Sequence, residues 1–337
     1  MRKHLTLILL LLCPALTLAA AIPEAADNDG PAAIAQNGRQ LSVAWLTGRI
    51  DDLDETLHAW WKEKRRFKDG RFEIQAYYEG LCAYFTVEQD KWDAYRDLAA
   101  MHRQAYPHST AAALAKSIFW YQYAWNARGT GFADSVAPEN STLFHERLAK
   151  ARGVLEESRS FAASNPLWYY HMMSIAIDEG WPDEKFDELY SEAIKRFPDF
   201  FVFYFAKTRH LLPKWGGDAD RFDEFVNQTV EATRATDGES MYARLYWSYD
   251  GTQVHGNLFD ESRADWPRMK KGFEDLLSRY PDSKWNLSNF ASFACRARDG
   301  ATFARLIEAI GPWVHPRAWR SNYSYDSCKT ILLSEAR

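Results

Sequence analysis

The chain has 337 residues, a formal charge of −5, and 47% apolar and 26% charged residues. No basic block occurs, which argues against a nucleic-acid partner or an anionic membrane surface. Aromatic residues set it apart: 14 Trp, 17 Tyr and 20 Phe are enough to fill a large core and leave rings for a binding surface.

The chain opens on Arg2, Lys3 and His4, continues with an apolar run from Leu5 to Leu18, and reaches the small residues Ala19-Ala20-Ala21. A basic head, a short apolar body and a small-residue end make a secretory signal peptide. It is expected over residues 1–21, with cleavage near Ala19–Ala21. The run is shorter than the roughly 20 residues of a membrane span, and no later stretch approaches that length. The mature chain is therefore expected in the periplasm or outside the cell, with no stable membrane span. Loss of Arg2 and Lys3 takes its formal charge to −7.

Residues 22–36, rich in Ala, Asp, Asn, Gly and Pro, are expected to form a flexible lead. From 37 to 311 apolar residues recur three and four apart, the period of a helix face. Leu53, Leu57, Trp60 and Trp61 share one face, with Asp52 and Glu55 spaced for a capping box. Ile74, Tyr77, Tyr78, Leu81, Cys82 and Phe85 share the next. Tyr106-Pro107 ends a third helix, and Ser109 is placed to cap a fourth. Further stripes run through Phe186–Phe197, Phe222–Val230, Met269–Tyr280 and Phe303–Ile310. Pro166 to Pro198 spans 32 residues and Pro281 to Pro312 spans 31, near the tetratricopeptide period of about 34. The expected fold is all-α: a tetratricopeptide-like α-solenoid of stacked helical hairpins, each burying its stripe against its neighbour. Residues 312–337 are expected to fold back on the last helices.

Three cysteines follow the leader. Cys82, on an apolar face, is expected to be a buried free thiol. Cys295 and Cys328 are expected to pair, because disulfides persist in an oxidising compartment.

Two segments carry a family resemblance: Trp125-Asn126-Ala127-Arg128-Gly129-Thr130-Gly131, after Pro107-His108-Ser109, and Leu211-Leu212-Pro213-Lys214-Trp215-Gly216-Gly217. Their order resembles a bacterial helical family of unknown function, DUF4034, over roughly residues 50 to 250. The resemblance implies helical repeats and a bacterial source. It implies no catalytic residue and no ligand.

The residues offer no catalytic motif. His145-Glu146 lacks the second His of a zinc pair, and scattered His and Cys give no metal spacing. No nucleophile elbow or phosphate-binding loop occurs. Gly129-Thr130-Gly131 lacks the phosphate-neutralising Lys and reads as a helix C-terminal turn. Gly216-Gly217 reads as a sharp turn before a cap at Asp218 or Asp220. Asp183, Glu184, Asp187 and Glu188 read as a solvated face. No catalytic residue, metal or cofactor is expected.

Aromatic clusters at Phe119–Trp125, Trp168–Tyr170, Phe200–Phe205 and Tyr246–Tyr249 are too dense for one stripe. They indicate helices buried on several sides, or an aromatic groove for sugars or apolar side chains. For a groove, Trp125, Arg128, Trp215 and Trp247 are the candidate binding residues, with Arg128 as a fork for a carboxylate or carbonyl. The leading expectation is a non-enzymatic binding or scaffolding protein with a protein or peptide partner. The alternatives are a binder of cell-envelope polysaccharide and a helical hydrolase with an acid pair that no motif marks.

Overall fold

A computed structural model describes residues 28–87, 91–131, 135–320 and 323–334. The expected leader, residues 1–21, and the start of the expected lead lie outside them. Among the described residues the fold is all-α, with sixteen α-helices. The only strand-like pairings among them are the isolated bridges Arg66–Phe72 and Arg320–Tyr323.

The sequence punctuation shapes most helix ends. Ser109 Oγ accepts from Ala112 N at 2.9 Å at the start of α5 (Thr110–Arg128). Asp218 caps α10 (Ala219–Asp237) through Arg221 N at 2.8 Å. Gly129 and Gly216 take φ values of +70° and +87°, which cost glycine little. The Asp52–Glu55 capping box does not form. The helix α2 (Ile50–Lys62) begins earlier, with Arg49 at its cap, and Asp52 instead accepts from Arg49 Nε at 2.6 Å.

The helices form two layers with different sequence character. The inner layer contains α3 (Gln75–Val87), α5, α7 (Pro166–Asp178), α9 (Val202–His210), α11 (Ser240–Tyr249) and α14 (Lys284–Arg296). Of these, α3, α5, α7, α9 and α11 pack in that order along the layer. The outer helices α4 (Trp92–Ala105), α6 (Pro138–Ala162), α8 (Asp183–Arg196), α13 (Trp266–Arg279) and α15 (Gly300–Ile310) pack on inner ones. An outer helix buries a narrow stripe: α8 buries only Phe186, Leu189 and Ala193. An inner helix is enclosed on nearly all sides: every residue of α7 except Tyr170 is buried. Dense aromatics therefore fall in the inner layer, as expected for a helix covered from several directions.

The expected flexible lead is corrected from residue 28 onward. Residues 30–36 belong to α1 (Gly30–Leu46), whose Ala33, Ile34, Leu41 and Trp45 lie in the core. Alanine and isoleucine at helical spacing outweigh the polar residues before them. The helix α1 crosses α3 at Gly38 and Gly80, where a Cβ on Gly80 would overlap the Gly38 carbonyl.

The array also differs from an open stack in which each pair touches only its neighbour. The helix α1 packs on α3 and on α14, so the two ends of the array meet. Asp29 accepts from Ser283 Oγ at 2.7 Å and from Trp285 N at 2.9 Å. Asn286 Nδ2 donates to the Asp69 carbonyl at 3.2 Å. The helix α16 (Tyr325–Ser334) lies against α14 and α15, and a disulfide joins Cys295 to Cys328. Cys82 is a free thiol and only half-buried, against the expected full burial. It packs against the core, and burial by surrounding protein pushes its pKa up to about 12.

Replacing Gly80 by Ala should cost about 1–3 kcal/mol, the usual penalty for overpacking a tight crossing. Urea unfolding measures it; an unchanged midpoint would show that α1 is not seated on α3 at this point.

Candidate functional site

Residues of α3, α7, α9, α11 and α14 line a cavity of about 360 Å³. Tyr170, the one residue of α7 that is not buried, lines it. So do Trp247 and Ser248, the only two residues of α11 that are not buried. Phe205 of α9 and Trp285 of α14 complete an aromatic wall. The Trp247 and Trp285 ring centroids are 5.7 Å apart with planes tilted by 42°.

The polar part of the lining comes from α3, the loop before it, α11 and α14. Asp69 and Arg71 form a pair, with Arg71 Nη2 at 2.5 Å and Nε at 2.9 Å from the same carboxylate oxygen. Gln75 accepts from Phe72 N at 2.9 Å, which fixes its amide.

Two charged groups in the cavity have no such commitment. Arg244 is 7% exposed, yet its Nε has no hydrogen-bond partner. Its Nη2 makes one long contact, 3.4 Å, to the Asp69 carbonyl, and no carboxylate pairs with it among the described residues. Phe201 and Tyr280 lie 5.5 and 5.7 Å from its guanidinium. Burial lowers the Arg244 pKa; Tyr280, Asp69 and Asp237 act the other way. The second group is Glu79, whose side chain opens to the cavity and forms no hydrogen bond or ion pair with another described residue. Enclosure by protein raises the Glu79 pKa, Arg71 lowers it and Asp69 raises it further.

The four residues expected to line one groove do not come together. Only Trp247 reaches this cavity. Trp125 and Trp215 belong to a structural network centred on Asp178. That buried carboxylate accepts from Tyr121 Oη at 2.7 Å and Trp125 Nε1 at 2.9 Å. It also pairs with Arg209, whose guanidinium lies 5.1 Å from the Trp215 ring. Burial raises the Asp178 pKa, while Arg209, Tyr121 and Trp125 hold it down. Arg128 stacks 5.1 Å from the Trp125 ring and donates to the carbonyl of Gly131 at 3.1 Å. It ties down the end of α5 instead of presenting a fork. The acids on α8 are likewise only partly a solvated face. Asp183 meets His210 Nε2 at 2.8 Å and Arg221 Nη2 at 2.7 Å, and Asp187 pairs with the buried Lys207.

Tyr170 and Phe205 fall in aromatic clusters marked by the sequence, whereas Arg244, Glu79 and Trp285 carry no such mark. A different signal for Arg244 and Glu79 was present. Arg244 is the sole charged residue of α11, and Glu79 the sole charged residue of α3. A single charge in an otherwise uncharged, aromatic-rich helix marks a position that faces something other than the core.

Among the described residues no cluster of three His, Cys, Asp or Glu side chains is placed for a metal ion. No described helix is long and apolar enough to cross a membrane. Comparison with known proteins returned no matching family model, no matching curated protein and no matching solved structure.

Two outcomes test this description. Asp178→Asn should destabilise the protein by about 3 kcal/mol, because it removes a buried carboxylate on which Arg209, Tyr121 and Trp125 converge; a thermal shift within error would remove the network's structural role. Glu79 should titrate above the ordinary glutamate value of about 4.3. Asp69→Asn should lower that pKa, since it removes a like charge and frees Arg71. Carboxyl-carbon NMR reads both, and a Glu79 pKa at or below the ordinary value would contradict the enclosure described.

Proposed function

We propose that this protein is a non-enzymatic binding protein that holds a compact ligand in the central cavity. The carrying observation is the Trp247–Trp285 wall beside an uncommitted guanidinium, Arg244. Aromatic rings supply contact area with little flexibility to lose. A buried Arg without a carboxylate gains from any ligand that brings one. The volume lies within the range of small-ligand sites, about 300–1,000 Å³. Because α1 meets α14, a contained ligand fits better than a long partner laid along an open array. A short peptide suits the lining, with apolar side chains on the rings and a carboxylate or carbonyl on Arg244. A saccharide from the cell envelope is the second reading, favoured by the same pair of tryptophans.

The leader-like start and the Cys295–Cys328 disulfide support action in the periplasm or outside the cell. Kinship to DUF4034 is part of this proposal. It rests on the two sequence segments, which lie at the end of α5 and at the 3₁₀ turn Pro213–Trp215 before α10.

Tryptophan fluorescence titrated with short peptides and with peptidoglycan oligosaccharides tests the reading. A saturable shift is expected with one class, weakened about tenfold or more by Trp247→Ala, the loss of one well-packed aromatic contact. Saturable binding that Trp247→Ala and Trp285→Ala both leave intact would place the ligand elsewhere and sink the proposal.

A further inference from the structure

Resting on the cavity reading above, we infer that the ligand is a zwitterion, a short peptide with both ends free, its carboxylate held by Arg244 and its ammonium by Glu79. The inference comes from which charges in the cavity are already answered and which are not. Asp69 and Arg71 answer each other at 2.5 Å. Arg244 and Glu79 remain, one of each sign, and no ion pair joins them among the described residues. They stand on different helices, α11 and α3, and line one cavity as its separate poles.

Their surroundings sharpen the two poles. Around Glu79 the nearby charges are Asp69 and Arg71, so the site holds more negative than positive charge once Asp69 and Arg71 cancel. An ammonium is the group that this pole lacks. The acceptor that Arg244 reaches is a neutral carbonyl, that of Asp69. Its neighbours Asp237 and Arg66 are occupied elsewhere: Asp237 by Arg279 at 2.6 Å, and Arg66 by Asp199 at 3.7 Å. A carboxylate is the group that this pole lacks. A ligand of one charge would close over the other pole and leave it buried without a partner, which is costly. A neutral ligand would leave both. A zwitterion satisfies each pole, and the rings of Tyr170, Phe205, Trp247 and Trp285 remain for its side chains.

Calorimetry on the full protein tests this with four probes: leucyl-phenylalanine, its N-acetyl form, its C-terminal amide, and glucuronic acid. Leucyl-phenylalanine should bind, and each blocked form should bind about tenfold more weakly or worse, as expected for a charge pair with one partner removed. Glu79→Gln should erase the penalty of N-acetylation and keep that of amidation. Arg244→Gln should do the reverse. Should Arg244→Gln fail to fold, the blocked peptides and Glu79→Gln, at a position open to the cavity, still decide the matter. Blocked peptides that bind wild type as tightly as the free one would overturn the zwitterion. So would an ammonium preference that survives Glu79→Gln. Glucuronic acid binding without the peptides, sensitive to Trp247→Ala, would overturn the zwitterion and leave the cavity as the ligand site. Absence of binding for all four probes would overturn both.

Discussion

Asp29 ties the beginning of the helical array to α14, which supplies Trp285 and Asn286 to the cavity. Its carboxylate accepts from the Ser283 hydroxyl and the Trp285 amide, at the N-terminus of α14, where free N–H groups and the helix dipole favour an anion. Asp29 is almost fully buried, and burial raises its pKa while Ser283 and Trp285 lower it. The same clamp fixes the backbone of Trp285, so closure of the fold and placement of one cavity wall are a single event.

Closure also explains the two kinds of helix. An outer helix touches the inner layer on one side and water on the other, so a narrow apolar stripe suffices. An inner helix touches outer helices behind it, inner helices on both flanks and the cavity in front. On α7 and α11 the sequence is therefore buried nearly all round, with exceptions only where the cavity lies. Tyr170 on α7, and Trp247 with Ser248 on α11, are those exceptions. Glycine does related work at one point: Gly38 and Gly80 let α1 and α3 approach backbone to backbone, which brings α1 deep enough to reach α14.

Periodicity made the helices legible, because stripes such as Phe186, Leu189 and Ala193 are local in sequence and each reports one face of one rod. Caps at Ser109 and Asp218 were legible for the same reason. Closure was not: the contacts of Asp29 with Ser283 and of Asn286 with Asp69 join residues 254 and 217 positions apart, and no local pattern encodes them. The start of α1 was hidden by polar residues whose burial depends on that closure. Of the four candidate binding residues only Trp247 lines the site. Aromatic density marked the clusters of Tyr170, Phe205 and Trp247, but equally that of Trp125, because density reports burial on several sides and does not distinguish a ring bound to Asp178 from one facing a cavity. The isolated charges on α3 and α11 were the more informative residues, since a charge has far more to lose by burial than a ring does.

Asp69 shows how the cavity keeps one guanidinium free. It meets both arginines of the lining, but with different atoms. Its carboxylate goes to Arg71, through two donors on one oxygen. Its carbonyl goes to Arg244 at 3.4 Å and to Asn286 at 3.2 Å. A carbonyl dipole shared between two donors cannot neutralise a buried cation, so Arg244 retains both its charge and an unused Nε. The neighbouring Gly70 packs so closely on the Tyr280 ring and Arg244 Nη2 that a Cβ there would collide with both, which leaves no room for another side chain from that position to answer the charge. A protein selected only for stability would gain by placing an acid or an apolar residue here. Retaining an unanswered, buried charge beside an aromatic-walled cavity costs stability, as functional sites commonly do.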